Sequence, residues 1–426
     1  MKSDLLSRRF FLKGAAVLGC SAAAHPFLNS MTFASAPGEG RLVVIILRGA
    51  MDGLDVVQPL GDKALALHRK ILSGGEAAGA QDLDGFFAAH KALGPLMPLW
   101  QAGELGFVHA TSTPYRDKRS HFDGQDLLEA GTGGDVDPSL MKVGWLNRLL
   151  QALPDARAET AFSVGLDEMR ILAGPAEALS WTPEAKLRIS PQAELLLNHI
   201  YHDDPLFRDA AQAAVAVSNG GVDAPAMAAE NDGAMGGMMA DAGMAPAAAA
   251  ATATATAGDG KISATRAMAH FAADRLNGET RIAAFSLNGW DTHRGQPAAL
   301  GGSLTRLGEA ILGLRERLGA NWAQTTVMAM TEFGRTVREN GSNGTDHGTG
   351  GAMVLAGGAI RGGKVYGGWP GLGEGDLYDG RDLMPLTDVR AWAAWAMRGQ
   401  FGIERSVLER SIFPGLDLGD DPKFML

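Results

Sequence analysis

Two short segments carry the residue types that bind metals or move protons. Asp291-Thr292-His293 sets a carboxylate and an imidazole two positions apart, and Asp346-His347 sets them side by side. On extended backbone, positions i and i+2 point to one side, so a single ion could see both Asp291 and His293. Asp346 and His347 would diverge on a strand. On a turn, one of them can face an ion while the other orients it from behind. His347 is the expected ligand there, with Asp346 either a second ligand or its support. A turn is expected because GSNGTDHGTGG, residues 341–351, surrounds the pair with five glycines. Glycine loses much backbone entropy on folding and tends to stand where a sharp bend or a close approach requires it. Taken singly, each segment also fits an ordinary polar turn.

Two further acids have comparable settings. Asp52 sits in GAMDGLD and Glu332 in TEFGR, each just after an apolar run. Asp52 could equally cap a helix, and Glu332 could pair with Arg335. Ser120 heads SHFDGQDLLEA. A Ser at a helix start lies by free N–H groups and a positive dipole end, where a phosphate or sulfate sits well. Ser120-x-x-Asp123 also resembles a capping box, which explains the serine without catalysis. Arg116, Lys118, Arg119 and His121 make this patch basic. Arg116 or Arg119 could clamp an oxyanion.

These residues need elements to position them. Residues 41–48, RLVVIILR, form an unbroken apolar run, as expected of a strand buried on both faces. Similar runs occupy 105–110, 281–287, 325–330 and 352–356. Helical patterns lie between or after them, at 92–101, 120–130, 143–153, 263–276, 300–318 and 387–400. Such alternation predicts an α/β fold with a mostly parallel central sheet. In open sheets of this kind ligands bind beyond the carboxyl ends of the strands, so loops distant in sequence converge there. Four such ends here carry an acid or an acid-imidazole pair.

Composition sets the outer bounds. The chain has 426 residues, 46% hydrophobic and 20% charged, enough for a sizeable core. A net charge of -10 argues against a nucleic-acid partner. SRRFFLKG, residues 7–14, matches a twin-arginine export signal, followed by a modest apolar segment and an Ala34-Ser35-Ala36 cleavage pattern. The expectation is a signal over residues 1–36, a translocase as export partner, periplasmic or secreted location, and no stable membrane span in the mature form. Cys20, the one cysteine, falls within that signal, so disulfides and thiol chemistry drop out of the mature protein. The main domain is expected over 41–426, with a possible helical cap at 155–218. Residues 219–260 are Ala/Gly/Met-rich low complexity and read as a flexible insert.

The ordered set SRRFFLKG, LVVIILRGAMDGLD, HATSTPYRDKRSHFDGQD, GWDTHRGQ, TEFGRTVRENGSNGTDHGTGG and GGKVYGGWPGL resembles a large bacterial group of twin-arginine-exported proteins. That group carries a domain of unknown function and is placed in the alkaline-phosphatase/sulfatase-like superfamily. The resemblance runs from about residue 41 to 415, apart from the 219–260 insert. It implies a three-layer α/β/α sandwich with one or two metal ions. It also implies Asp52 as the ligand closing the first strand, Ser120 as the nucleophile, and Asp291, His293, Glu332 and His347 as the remaining ligands. Two departures bear on the second ion. Glu332-Phe333 stands where the superfamily usually has Asp-His or Asp-Asn, and the Asp-to-His spacing is shorter than in the phosphatases. A sulfatase-like string, Ser112-Thr113-Pro114-Tyr115-Arg116, lies upstream of Ser120 and does not open the helix.

The reading is an exported hydrolase of small anionic phosphate or sulfate esters, dependent on a divalent metal. Mixed imidazole and carboxylate ligands point to zinc or manganese, which would polarise the ester oxygen. Ser120 would attack, and Arg119 or Arg116 would hold the anionic oxygens. One alternative is a non-catalytic periplasmic binding or assembly protein on a hydrolase-like scaffold. Another is metal handling through the Met-rich insert, since thioethers favour Cu(I).

Overall fold

The computed structural model describes residues 31–35, 39–116, 119–133, 142–153, 169–176, 178–181 and 262–426. The twin-arginine motif, Cys20, Ala36, Lys118, most of the 155–218 segment and the whole 219–260 insert lie outside the described residues. The chain divides into two compact units, and all described residues except Ile262 belong to the first, Met1–Ala185 with Ser263–Leu426.

All five expected runs are strands. They are β2 (Arg41–Arg48), β3 (Leu105–Ser112), β5 (Thr280–Asn288), β6 (Thr325–Met330) and β7 (Gly351–Ala356). Four shorter strands complete a nine-stranded sheet: β1 (Met31–Ser35), β4 (Leu179–Trp181), β8 (Val365–Tyr366) and β9 (Thr387–Asp388). The order is β8-β3-β7-β6-β2-β5-β1-β4, with β9 also on β3. Strand β1 lies within the segment read as export signal, just ahead of Ala36.

The sheet is mixed and mostly parallel. Strand β2 runs parallel to β5 and β6, and β7 runs antiparallel to both β3 and β6. The reversal of β7 is the antiparallel exception among the five runs, and its cause is local. Parallel neighbours need a crossover of a dozen or more residues, usually a helix. The connection from β6 to β7 is the glycine-rich 331–350 segment, which holds no helix. The chain therefore returns beside the strand it has just left. As a result the amino end of β7 lies at the same rim as the carboxyl ends of β2, β3, β5 and β6.

Helices α1 (His121–Ala130), α2 (Trp145–Ala152), α3 (Ala264–Leu276), α4 (Gln296–Leu318) and α5 (Val389–Phe401) match the expected patterns, α4 beginning four residues early. The 92–101 pattern is instead a 3-10 turn, Lys91–Leu96, running into a short helix, Met97–Gln101. Pro95 within it removes a backbone donor that a full α-helix would use.

The strand periodicity of two explains the unbroken apolar runs. Val43, Ile45 and Leu47 pack with Met268 and Ala272 of α3 and Leu304, Leu307 and Ile311 of α4. Leu42, Val44 and Ile46 pack with Leu146 and Leu149 of α2 and Trp392 and Met397 of α5. Both faces of β2 are fully buried. Each such side chain contributes about 1.5–3 kcal/mol of burial, which makes the strands a rigid base for the rim loops. Among the described residues, no helix is long and apolar enough to cross a membrane.

Candidate metal centre

Two loops and one helix start meet at the rim. The loop after β5 carries Asp291 and His293. The loop between β6 and β7 carries Glu332, Asp346 and His347. Helix α1 begins with His121, directly after the Ser120 cap.

Arg335 fastens these loops together. Its guanidinium is fully buried and donates to the carbonyls of Gly49, Ala50, Thr345 and Trp290 and to Asp291 Oδ1 at 2.6 Å. Its five N–H donors in a fixed fork suit several carbonyls at once. Two of the glycines around Asp346-His347 are required by close packing. A Cβ on Gly344 would collide with the backbone carbonyl of His293, and one on Gly348 with that of Arg335. The glycine-framed turn thus presses the 341–351 segment against the loop after β5.

The imidazoles converge. His293 Nε2 stands 2.9 Å from His347 Nε2 and 3.2 Å from Asp291 Oδ1. His347 Nε2 and His121 Nε2 lie 3.6 Å and 3.5 Å from the same oxygen. One ligand atom each from His121, Asp291 and His347 falls within 4.8 Å of the others. His293 borders two of those three.

Each ring is anchored from behind. His121 Nδ1 is 2.8 Å from Glu332 Oε1, His293 Nδ1 is 3.2 Å from Asp346 Oδ1, and His347 Nδ1 is 2.8 Å from the Arg119 carbonyl. Carboxylates and carbonyls only accept, so each Nδ1 carries the proton and donates. That assigns a lone pair to every Nε2 in the neutral rings. Arg119 adopts a left-handed φ of 53° to aim its carbonyl at His347, a conformation that costs a non-glycine residue roughly 1–3 kcal/mol. Phe333, buried, stacks on His121 with ring centroids 5.2 Å apart and also touches His347, flooring the cluster.

This donor set fits a cation. Two lone pairs 2.9 Å apart repel unless a proton or an ion lies between them. His121 Nε2 is buried with no hydrogen-bond partner, and buried polar atoms are nearly always partnered. Zinc-to-nitrogen bonds of about 2.0–2.1 Å in a tetrahedral site put neighbouring ligand atoms roughly 3.3–3.4 Å apart. The four separations above, 2.9 to 3.6 Å, bracket that value. Imidazoles joined by a carboxylate, each held from behind by an acceptor, form the arrangement that orients zinc ligands.

The electrostatics agree. The Asp291 carboxylate, 3.5 Å from Nε2, first, and the bond to Glu332 second, raise the His121 pKa to about 9, against the opposing effect of burial. Burial pushes the Asp291 carboxyl up, but His121, His347 and Arg335 together hold it well below the usual carboxylate range. Burial likewise opposes ionisation of Glu332, and its bonds from His121, Gln125 and Thr331 outweigh it. The pocket therefore favours positive charge.

The sequence expectations divide accordingly. Asp291, His293 and His347 come together. Asp346 and Glu332 stand behind the imidazoles and orient them. Glu332 does not pair with Arg335, whose carboxylate partner is Asp291. Asp52 does not join the cluster, which corrects its expected role as a ligand. Its carboxylate takes two bonds from the Arg69 guanidinium, at 2.7 and 3.0 Å, and one from Gln296. A carboxylate so occupied has little left to offer a metal. His121, read only as part of a basic patch, is the member of the cluster that sequence reasoning missed. The available signal was its place, the first helical residue after a buried strand.

Ser120 is the N-cap of α1, its Oγ accepting a long 3.4 Å bond from the Asp123 N–H. Its own N–H donates to the Tyr115 hydroxyl at 2.8 Å. Beside His347 lies a small cleft whose lining includes Arg116, Arg119, Tyr378 and Asp382. Arg116 donates to Ser112 Oγ and the carbonyls of Thr113 and Tyr115. Arg119 is exposed and makes no side-chain hydrogen bond or ion pair among the described residues.

Residues 112–410 match the family model described as "Protein of unknown function (DUF1501)". The chain belongs to the DUF1501 family. The matched span includes every residue of the cluster and excludes Asp52. No curated protein and no solved structure matches the chain.

Proposed function

We propose that this DUF1501 protein is an exported, metal-dependent hydrolase of phosphate or sulfate esters, on a three-layer α/β/α sandwich of the alkaline-phosphatase type. The observation that carries the reading is the convergence of three Nε2 atoms on Asp291 Oδ1, each ring anchored at Nδ1. His121, Asp291 and His347 would hold zinc, with His293 beside them. The capture of Asp52 by Arg69, and Phe333 beneath the rings, favour one ion over two. When bound, the ion would act as a Lewis acid on the ester oxygen. The protein's own part is to orient the ester. Ser120 heads a ten-residue helix whose amino end favours anions, and Arg119 is exposed, with no hydrogen bond or ion pair to its guanidinium among the described residues. Ser120 is the candidate nucleophile, its weak cap leaving the hydroxyl available.

The test is zinc analysis of the protein purified after native expression, with a panel of phosphate and sulfate esters. The expected result is close to one zinc per chain and turnover of at least one ester, with both lost in Asp291→Ala. A chain free of zinc and manganese would refute the reading. Bound zinc without turnover of any ester would favour the second reading, a binding protein on a hydrolase-like scaffold. The engagement of Arg116 with backbone carbonyls supports that alternative.

A further inference from the structure

Gln296 stands outside the ligand set, yet it touches the backbone supports of every ligand loop except that of His121. It is the first residue of α4 and is fully buried. Its amide nitrogen donates to Asp52 Oδ2 at 2.6 Å and to Asp55 Oδ2 at 3.0 Å. Its amide oxygen accepts from Thr292 Oγ1 at 2.9 Å and from Thr345 Oγ1 at 2.8 Å. Thr292 lies between Asp291 and His293, and Thr345 immediately precedes Asp346-His347. The two threonines also bond to each other, the Thr345 N–H donating to the Thr292 carbonyl at 3.2 Å. The Gln296 N–H adds a bond to the Asn343 carbonyl at 2.8 Å.

We infer that Gln296 is a positioning residue for the metal centre, its amide setting the separation between the Asp291-His293 loop and the Asp346-His347 loop. The inference rests on the metal reading above. Its physical basis is that both ends of the amide are fully used. Both nitrogen protons go to carboxylates that cannot move, because Asp52 is locked by Arg69 and Asp55 by Gln58 and the Ser73 N–H. The direction of the amide is thereby fixed, since only its oxygen can face two hydroxyl donors. Both threonine hydroxyls are then drawn to one point. That point holds the segments just ahead of His293 and His347, whose Nε2 atoms stand 2.9 Å apart. A threonine that lost this bond would leave its loop less tightly held where the ligand atoms must meet.

The experiment uses the full chain with zinc as the probe. Wild type, Thr292→Val, Thr345→Val and Gln296→Ala are stripped with chelator. Zinc affinity is then read by chelator competition, and the visible ligand-field spectrum is read after cobalt substitution. Each Thr→Val change keeps the side-chain shape and removes one hydroxyl. The expected result is zinc affinity lower by 10- to 100-fold in each variant, as for the loss of a group that orients a ligand, with an altered cobalt spectrum. Metal-free Thr→Val variants should melt close to wild type, so a change in affinity is not a folding defect. Wild-type affinity and spectrum in both valine variants would overturn the inference while leaving the metal centre intact. Wild type that takes up no zinc would overturn the metal centre and this inference together. If Gln296→Ala does not fold, the two valine variants still decide.

Discussion

Asp52 and Asp291 each follow a strand of the same parallel trio, at the same rim, within four residues of the strand's end. From sequence they are the same kind of residue. In the structure one is 1% exposed and the other 49%. Asp52 is held by Arg69, itself bound to the Val337 and Thr336 carbonyls, so the charge there is neutralised within the protein. Asp291 faces three imidazoles whose other nitrogens are all committed elsewhere. The Arg335 guanidinium beside it spends most of its donors on carbonyls. The difference teaches that a carboxylate beyond a buried strand marks the rim and says nothing of its role. The role is set by whether the counter-charge is built in or must come from outside.

The histidines repeat the contrast. His121 faces carboxylates, which raise its pKa to about 9. His109, on β3, is fully buried, and burial lowers it to about 4 despite the bond to the Val57 carbonyl. Its Nε2–H donates to Val57 O at 3.0 Å and its Nδ1 accepts from the Ala110 N–H at 2.9 Å. Both ring nitrogens are satisfied only in the neutral form.

Three experiments would break or sharpen this comparison. The largest effect is expected at Arg69. Arg69→Met leaves Asp52 buried with no cation, and breaking a buried pair in this way costs roughly 3–5 kcal/mol. Chemical denaturation should show that loss, while folded protein keeps zinc. Loss of zinc at unchanged stability would move Asp52 into the metal site. Next comes acid. The folded pKa of His109 lies below its ordinary value of 6.5, so the unfolded chain binds the extra proton more readily. Its contribution is whole above pH 6.5 and falls away as pH drops toward 4, roughly 3 kcal/mol in all. Melting curves across that range should flatten in His109→Gln relative to wild type, and identical slopes would remove His109 from the account. Glu332→Gln should have the smallest effect. It keeps the shape behind His121 and removes the charge. Zinc affinity should fall 10- to 100-fold, about 1.4–2.8 kcal/mol, as measured by chelator competition. No change would mean that Glu332 serves the loops alone, through Gly49 and Thr331.

Much of the scaffold was legible beforehand. The five apolar runs became strands because burial on both faces demands continuous Val, Ile and Leu, and that demand is written residue by residue. The cap of α1, Ser120, is similarly local. The direction of β7 was less legible, since an apolar run carries no arrow. Only the absence of a crossover between Met330 and Gly351 encodes it.

The sequence by itself determined which residues are able to bind a metal, where the strands run, and that several loops end at one rim. Those properties depend on residue type and period, which need no knowledge of distant neighbours. Tertiary structure alone decided which acids face the imidazoles and which stand behind them. It brought Arg69 to Asp52 across 17 positions and Glu332 behind His121 across 211, and it set His121 beside Asp291 and His347. Charge compensation in a buried site acts over a few ångströms of space, and separation along the chain does not encode that distance.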